Sequence, residues 1–79
     1  MRIHVKLFAT LTRYGPGVTS GTPFDLDLPD GVTIADLVTQ LGIPAEIVKV
    51  GFVNGRVQPP DYSLSQDDEV GIFPPIGGG

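Results

Sequence analysis

The chain predicts an α+β fold: a mixed sheet of four to five strands with one main helix, over about 33–42, lying across one face. Three observations lead there. Apolar and polar residues alternate near both ends of the chain, as in half-buried strands. Between them a single stretch switches to the helical period. An Asn-Gly pair between two further apolar runs then gives a strong short-range hairpin signal.

In order along the chain, "RIHVKLFA" puts Ile3, Val5 and Leu7 on one side and His4, Lys6 and Phe8 on the other, a strand with one face in the core. "YGPGVTSGTP" has glycine at 15, 17 and 21 and proline at 16 and 23, and reads as a loop. "FDLDLP" alternates again, with Phe24, Leu26 and Leu28 inward and Asp25 and Asp27 outward; the two strands make an antiparallel pair with a long connection. In "DGVTIADLVTQLG" the apolar residues Ile34, Leu37, Val38 and Leu41 follow the i, i+3, i+4, i+7 spacing of one helix face. Thr33 is a suitable N-cap, Asp36 sits three residues on where its carboxylate can reach back, and Gly42 suits the position after the helix. "IPAEI" reads as a turn or one short helical turn. "VKVGFVNGRVQ" is the hairpin around Asn54-Gly55, "PPDYSLSQDD" is connecting chain with Tyr62 capping the small end of the core, and "EVGIF" is a last short strand with Val70 and Ile72 inward. That strand is expected beside the first, in the middle of the sheet. Gly51 and Gly71, inside strands, mark bulges or close backbone approach.

With 79 residues the chain is one domain near the lower size limit for folding alone, and 41% hydrophobic against 18% charged residues makes it globular, not disordered. The absence of cysteine excludes disulfides, thiolate metal ligands and cysteine nucleophiles. A single histidine, His4, excludes a histidine-rich metal cluster, and it is expected to be solvated on the outward strand face. No apolar run approaches the roughly 18 residues of a membrane span, and the alternating start lacks the continuous apolar region of a signal peptide, so a cytoplasmic location is expected. The net charge is −4, with only Arg2, Lys6, Arg13, Lys49 and Arg56 as cations. Without a basic stripe to neutralise phosphates, nucleic acid is not an expected partner.

The last ten residues, "VGIFPPIGGG", hold the chemistry. Phe73 closes the last strand. Pro74 and Pro75 cannot donate to a sheet ladder and hold an extended, polyproline-like path. The chain thus divides into a domain over 1–73 and a flexible functional tail over 74–79. From Pro74 to Gly79 the tail reaches at most roughly 20 Å. It carries one apolar residue, Ile76, and then a thread without side chains, ending on the carboxylate of Gly79. Such a thread fits a channel too narrow for any Cβ. Activation by ATP would turn the carboxylate into an acyl-adenylate, and a thiolate or persulfide displacing AMP would leave a thioester or thiocarboxylate. Read by itself, a glycine end is equally a frayed terminus.

The surroundings of the tail sharpen that reading. "VNGRVQPPDYSLSQDDEVGIFPPIGGG" and "VKLFATLTRYGPG" resemble the MoaD family, the small sulfur-carrier subunits of molybdopterin synthase, within the MoaD/ThiS ubiquitin-like carriers. "DEVGIFPP" followed two residues later by Gly-Gly is the most specific part; the middle of the chain matches by pattern more than identity. The resemblance implies the ubiquitin-like β-grasp fold, in agreement with the topology read above. It implies that an E1-like adenylating enzyme of the MoeB/ThiF type consumes ATP to activate Gly79, next to Gly78. A persulfide relay then forms a thiocarboxylate, and the tail enters a large subunit of the MoaE type. There it gives sulfur to the dithiolene of the molybdenum or tungsten cofactor. The chain is thereby not catalytic alone and binds no cofactor or metal of its own. Gly77 stands where the family has a small residue such as Ala or Thr.

The family docks partners through an apolar surface beside the tail, which the resemblance places at Phe8, Val57 and Phe73, leading into Pro74, Pro75 and Ile76. For Phe8 and Phe73 the residues themselves agree, since both are out of phase with the core-facing positions of their strands and would form one exposed patch if those strands are neighbours. The alternative is two rings folded over a sheet edge for stability alone. Asp67, Asp68 and Glu69 read as a solvated turn or as a patch for a basic partner. Lys6 and Lys49 could accept a conjugate. Two other function classes share these features: a ThiS-like or tRNA-thiolation carrier, and a ubiquitin-like protein modifier joined to lysine. A third is a β-grasp binding module with an inert tail.

Overall fold

A computed structural model describes residues 1–75, and its core forms where the two strand periods meet the one helical period. Six regular elements appear: β1 (Arg2–Leu7), β2 (Phe24–Asp27), α1 (Ile34–Gln40), β3 (Val50–Val53), β4 (Arg56–Gln58) and β5 (Glu69–Phe73). They build one five-stranded sheet in the order β2-β1-β5-β3-β4. β1 runs parallel to β5 and antiparallel to β2, while β3 is antiparallel to both β5 and β4. The last strand therefore lies at the centre, beside the first, as the sequence predicts. A parallel pair needs a long crossover, and the chain between β1 and β5 includes α1.

One face of the sheet is covered. Ile3, Val5 and Leu7 of β1, Val70 and Ile72 of β5 and Val53 of β3 are buried against Ile34, Leu37 and Val38 of α1. Phe24 and Leu26, expected inward, are only half-buried, because β2 is an edge strand and they pack on the margin of the core.

Local chemistry sets the ends of α1. The Asp36 N–H donates to Thr33 Oγ1 at 3.1 Å, and the Thr33 N–H donates to Asp36 Oδ2 at 3.0 Å, a reciprocal capping box. At the other end Gly42 takes φ +79, the Gly42 N–H donates to the Thr39 carbonyl and the Ile43 N–H to the Val38 carbonyl. That pair of bonds is a Schellman ending, and buried Ile43 supplies its hydrophobic contact. "IPAEI" contains one 3-10 turn, Ala45–Ile47. Asn54 and Gly55 both have positive φ, +52 and +84, the two-residue turn that matches strand twist.

The extent of the first strand needs correction. The first strand does not run through Phe8 and Ala9: it stops at Leu7, and Ala9–Tyr14 forms a 3-10 helix. Ala9 turns to φ +52 with its N–H donating to Ser20 Oγ at 3.0 Å, and Leu11 is drawn fully into the core. Of the two readings of Gly51 and Gly71, a bulge is excluded, since the β3–β5 register passes through both without a break. They mark close approach instead: a Cβ at Gly51 would lie 3.3 Å from Ile34 Cγ2.

Candidate functional site

Among the described residues no layer covers the other face of the sheet, and its side chains fall into an aromatic end and an ionic end. At the aromatic end the alternation of β5 turns Gly71 and Phe73 outward, and their neighbours on the same face follow from register. Val50 stands opposite Phe73, Phe52 opposite Gly71, and Val57 opposite Phe52. Phe8, just past β1, joins them; its N–H donates to the Ile72 carbonyl at 3.2 Å. Phe8 and Phe73 stack with ring centroids 4.0 Å apart and planes 7° from parallel. Phe52 meets Phe73 edge-on at 5.2 Å and 72°. The rings lie over Gly71, where a Cβ would crowd Phe8 at 3.3 Å and touch Phe73 at an ordinary 3.6 Å.

Of the residues named from the sequence, Phe8 and Phe73 come together directly. Val57 is 60% exposed, a large apolar side chain left in water. It joins them only through Phe52, which the sequence reading left out. The signal for Phe52 was there: a two-residue turn at Asn54-Gly55 pairs position 52 with 57, so both must share a face. With Lys6 and Glu69 at its rim, the aromatic row bounds a shallow hollow of about 440 Å³. Pro74 is half-buried and Pro75 exposed, and the Lys49 N–H donates to the Phe73 carbonyl at 2.8 Å where the tail begins. Ile76, Gly77, Gly78 and Gly79 lie outside the described residues.

At the ionic end the structure departs from the sequence reading. His4 is not simply solvated. Its Nδ1 donates to Asp25 Oδ1 at 2.6 Å, and its Nε2 lies 3.4 Å from Asp67 Oδ1. The Asp25 hydrogen bond raises the imidazole above its ordinary value; partial desolvation opposes this, and the Asp25 charge and Asp67 add to the rise. Arg2 donates to both carboxylate oxygens of Asp27, at 2.9 and 3.2 Å, which holds the Asp27 carboxyl below its usual range. Asp68 is also misplaced as a solvated turn acid. It is 7% exposed, accepting from Asn54 Nδ2 at 2.9 Å and from the Ser65 N–H at 2.8 Å, and it ties the β3–β4 turn to the start of β5. The side chains of its exposed neighbours Asp67 and Glu69 do not share that role, although the Glu69 N–H donates to Asn54 Oδ1 at 2.9 Å.

Among the described residues no group of three or more His, Asp or Glu side chains is placed to hold a metal ion. No helix among them is long and apolar enough to cross a membrane.

A five-stranded mixed sheet with one crossing helix, its central strand ending beside an aromatic face, defines a small domain of the ubiquitin-like β-grasp class. The chain belongs to the ThiS family, whose model matches residues 5–79. No curated protein matches it in sequence. Among solved structures, SAMP1 from Haloferax volcanii superposes with a TM-score of 0.70 at 23% identity, covering 100% of both chains. A Pyrococcus furiosus protein assigned as molybdopterin converting factor subunit 1 gives 0.72 at 26% identity, covering 96% of this chain and 99% of its own. The Haloferax volcanii protein HVO 2177 gives 0.69 at 23%, covering 100% of this chain and 87% of its own. The chain is thus a ubiquitin-like sulfur carrier of the ThiS/MoaD type, not an enzyme by itself.

Proposed function

We propose that the chain is the sulfur-donating small subunit of a two-protein molybdopterin synthase in the cytoplasm, with residues 1–73 as the docking domain and 74–79 as the reacting tail. The observation that carries this reading is the aromatic row at the root of the tail. An uncovered patch of Phe8, Phe52, Phe73 and Val57 beside the exit of β5 suits a partner that must hold the domain while it receives the tail. The family match running to Gly79 supports a carrier of the ThiS/MoaD type, and the likeness to the Pyrococcus furiosus protein favours the molybdopterin pathway among them.

In the proposed cycle an E1-like enzyme joins the Gly79 carboxylate to AMP and releases pyrophosphate from ATP. The terminal sulfur of a persulfide then attacks the acyl carbon; a C–S bond forms as the bond to AMP breaks. A second thiol cleaves the resulting acyl persulfide, is itself oxidised to a disulfide, and leaves the thiocarboxylate. In the large subunit the sulfur passes to the pterin precursor, and water restores the carboxylate. Glycine suits each step because no side chain crowds the carbonyl. The carrier itself binds no cofactor in this scheme; ATP is used by its partner.

The test is intact-protein mass spectrometry after incubation with ATP, an E1-like enzyme and a persulfide donor. The expected result is a gain equal to exchanging one oxygen for sulfur, located at Gly79, and its loss on addition of the large subunit with pterin precursor. Deleting Gly78 and Gly79 should leave the melting temperature almost unchanged and abolish activation; retained adenylation would rule out this carboxylate as the reacting group. Thiocarboxylate that the large subunit does not consume would assign the carrier to another sulfur-accepting pathway. Conjugates on cellular lysines in place of thiocarboxylate would make it a modifier.

A further inference from the structure

Phe73 ends β5, and it is held on three sides: Phe8 stacks on one face, Phe52 meets its edge, and the Lys49 N–H holds its carbonyl at 2.8 Å. Here the side chain and the carbonyl are fixed together, so the backbone that begins the tail leaves the sheet in one direction. Pro74 and Pro75 carry that direction onward, with φ limited by their rings. Gly71 is part of the device because a Cβ there would press on the Phe8 ring at 3.3 Å and shift it against Phe73.

We infer that Phe52, with Phe8, is a positioning residue that aims the tail, and that Gly71 is the seat on which this clamp closes. The inference rests on the proposed role of the tail as the reacting end. Transfer between two reacting groups is sensitive to orientation, and a misplacement of about 1 Å costs up to about a hundredfold in rate. Aiming at the root therefore acts on turnover, whereas docking acts on affinity.

The experiment compares the full chain with Phe52→Leu, Phe52→Tyr and Gly71→Ala. Its first readout needs no reaction: hydrogen exchange at the Lys49 amide, which is protected while the Phe73 carbonyl stays in place. Phe52→Leu and Gly71→Ala should quicken it about two- to tenfold, the change expected from losing an aromatic pair. Phe52→Tyr, which keeps the edge-on ring, should not. The second readout is thiocarboxylate formation against carrier concentration, with an E1-like enzyme, ATP and a persulfide donor. Phe52→Leu should lower kcat about ten- to a hundredfold, a larger factor than the rise in KM that its place in the docking patch brings, and Phe52→Tyr should restore kcat. Unchanged Lys49 exchange in Phe52→Leu would overturn the clamp. A raised KM with intact kcat would overturn the aiming role and leave Phe52 with its docking role alone. If the unsubstituted chain forms no thiocarboxylate, the functional reading falls and this inference with it; if that chain reacts and Phe52→Leu turns over equally fast, only this inference falls.

Discussion

The two faces of the sheet are built from the same strands, yet they use their side chains in opposite ways. On the covered face, β1 and β5 bury Ile3, Val5, Leu7, Val70 and Ile72 against α1, and each apolar group is removed from water. On the bare face the same two strands present His4, Lys6, Gly71 and Phe73. There the ionic end closes on itself, with Arg2 on Asp27 and His4 between Asp25 and Asp67. The aromatic end closes on nothing but its own rings. A polar group paired within the chain has little left to offer a partner, but a row of rings half in water gains by being covered. What distinguishes the proposed docking end is thus not how apolar it is but that, among the described residues, no layer of the fold covers its apolar surface.

The largest effect should fall on the covered face. Leu37 is fully buried on α1, so Leu37→Ala should cost about 2–5 kcal/mol of stability, read from the denaturant midpoint. In a domain this small that is a large share of the total. A loss below about 1 kcal/mol would mean that α1 is not the cover the comparison requires.

Next comes Asp68, which belongs by sequence to an acidic turn but by structure to the interior. Asp68→Ala leaves the Ser65 N–H and the Asn54 amide without their acceptor, and should cost about 1–3 kcal/mol, while Glu69→Ala should cost little. Equal and small losses for both would return Asp68 to the solvated turn.

Phe73→Ala tests the bare face. It should weaken binding to the partner by about 1–3 kcal/mol and lower the denaturant midpoint far less than Leu37→Ala does. A large loss of stability with unchanged binding would show that the rings are a second core and not a surface.

These cases also mark how far the sequence could be read. Alternation in "RIHVKL" and "EVGIF", the helical spacing of Ile34, Leu37 and Val38, and the Asn54-Gly55 turn are all local signals, and they carry the strands, the helix and the central place of β5. What escaped depends on partners distant in the chain. Ala9–Tyr14 has no helical period because one buried residue, Leu11, holds it down. Asp68 looks like its neighbours until Asn54, fourteen residues away, is brought against it. Phe52 was legible only by carrying the hairpin register one pair further than the turn itself. For the tail, the residues speak through "FPP" and the glycines; how the root is held by Phe8, Phe52 and Lys49 is a tertiary fact.

The smallest effect, and the one that isolates the ionic end, is the dependence of stability on pH. The folded state raises His4 above its ordinary 6.5, so its contribution is fully present below that value and is lost as pH rises through the folded value. Asp27 behaves in reverse. Arg2 lowers its carboxyl below the ordinary 3.8, so its contribution is present above 3.8 and is lost as pH falls through the lowered value. Both groups are exposed enough that solvent screens them, so each limb should be shallow. Together they predict that this end supports the fold best between 3.8 and 6.5. The urea midpoint followed against pH should lose its decline above 6.5 in His4→Gln and keep its acid limb, while Asp27→Asn should do the opposite. If His4→Gln left the decline above 6.5 intact, the histidine would not be the group that closes the ionic end, and the contrast between a self-satisfied end and an open aromatic end would lose its polar half.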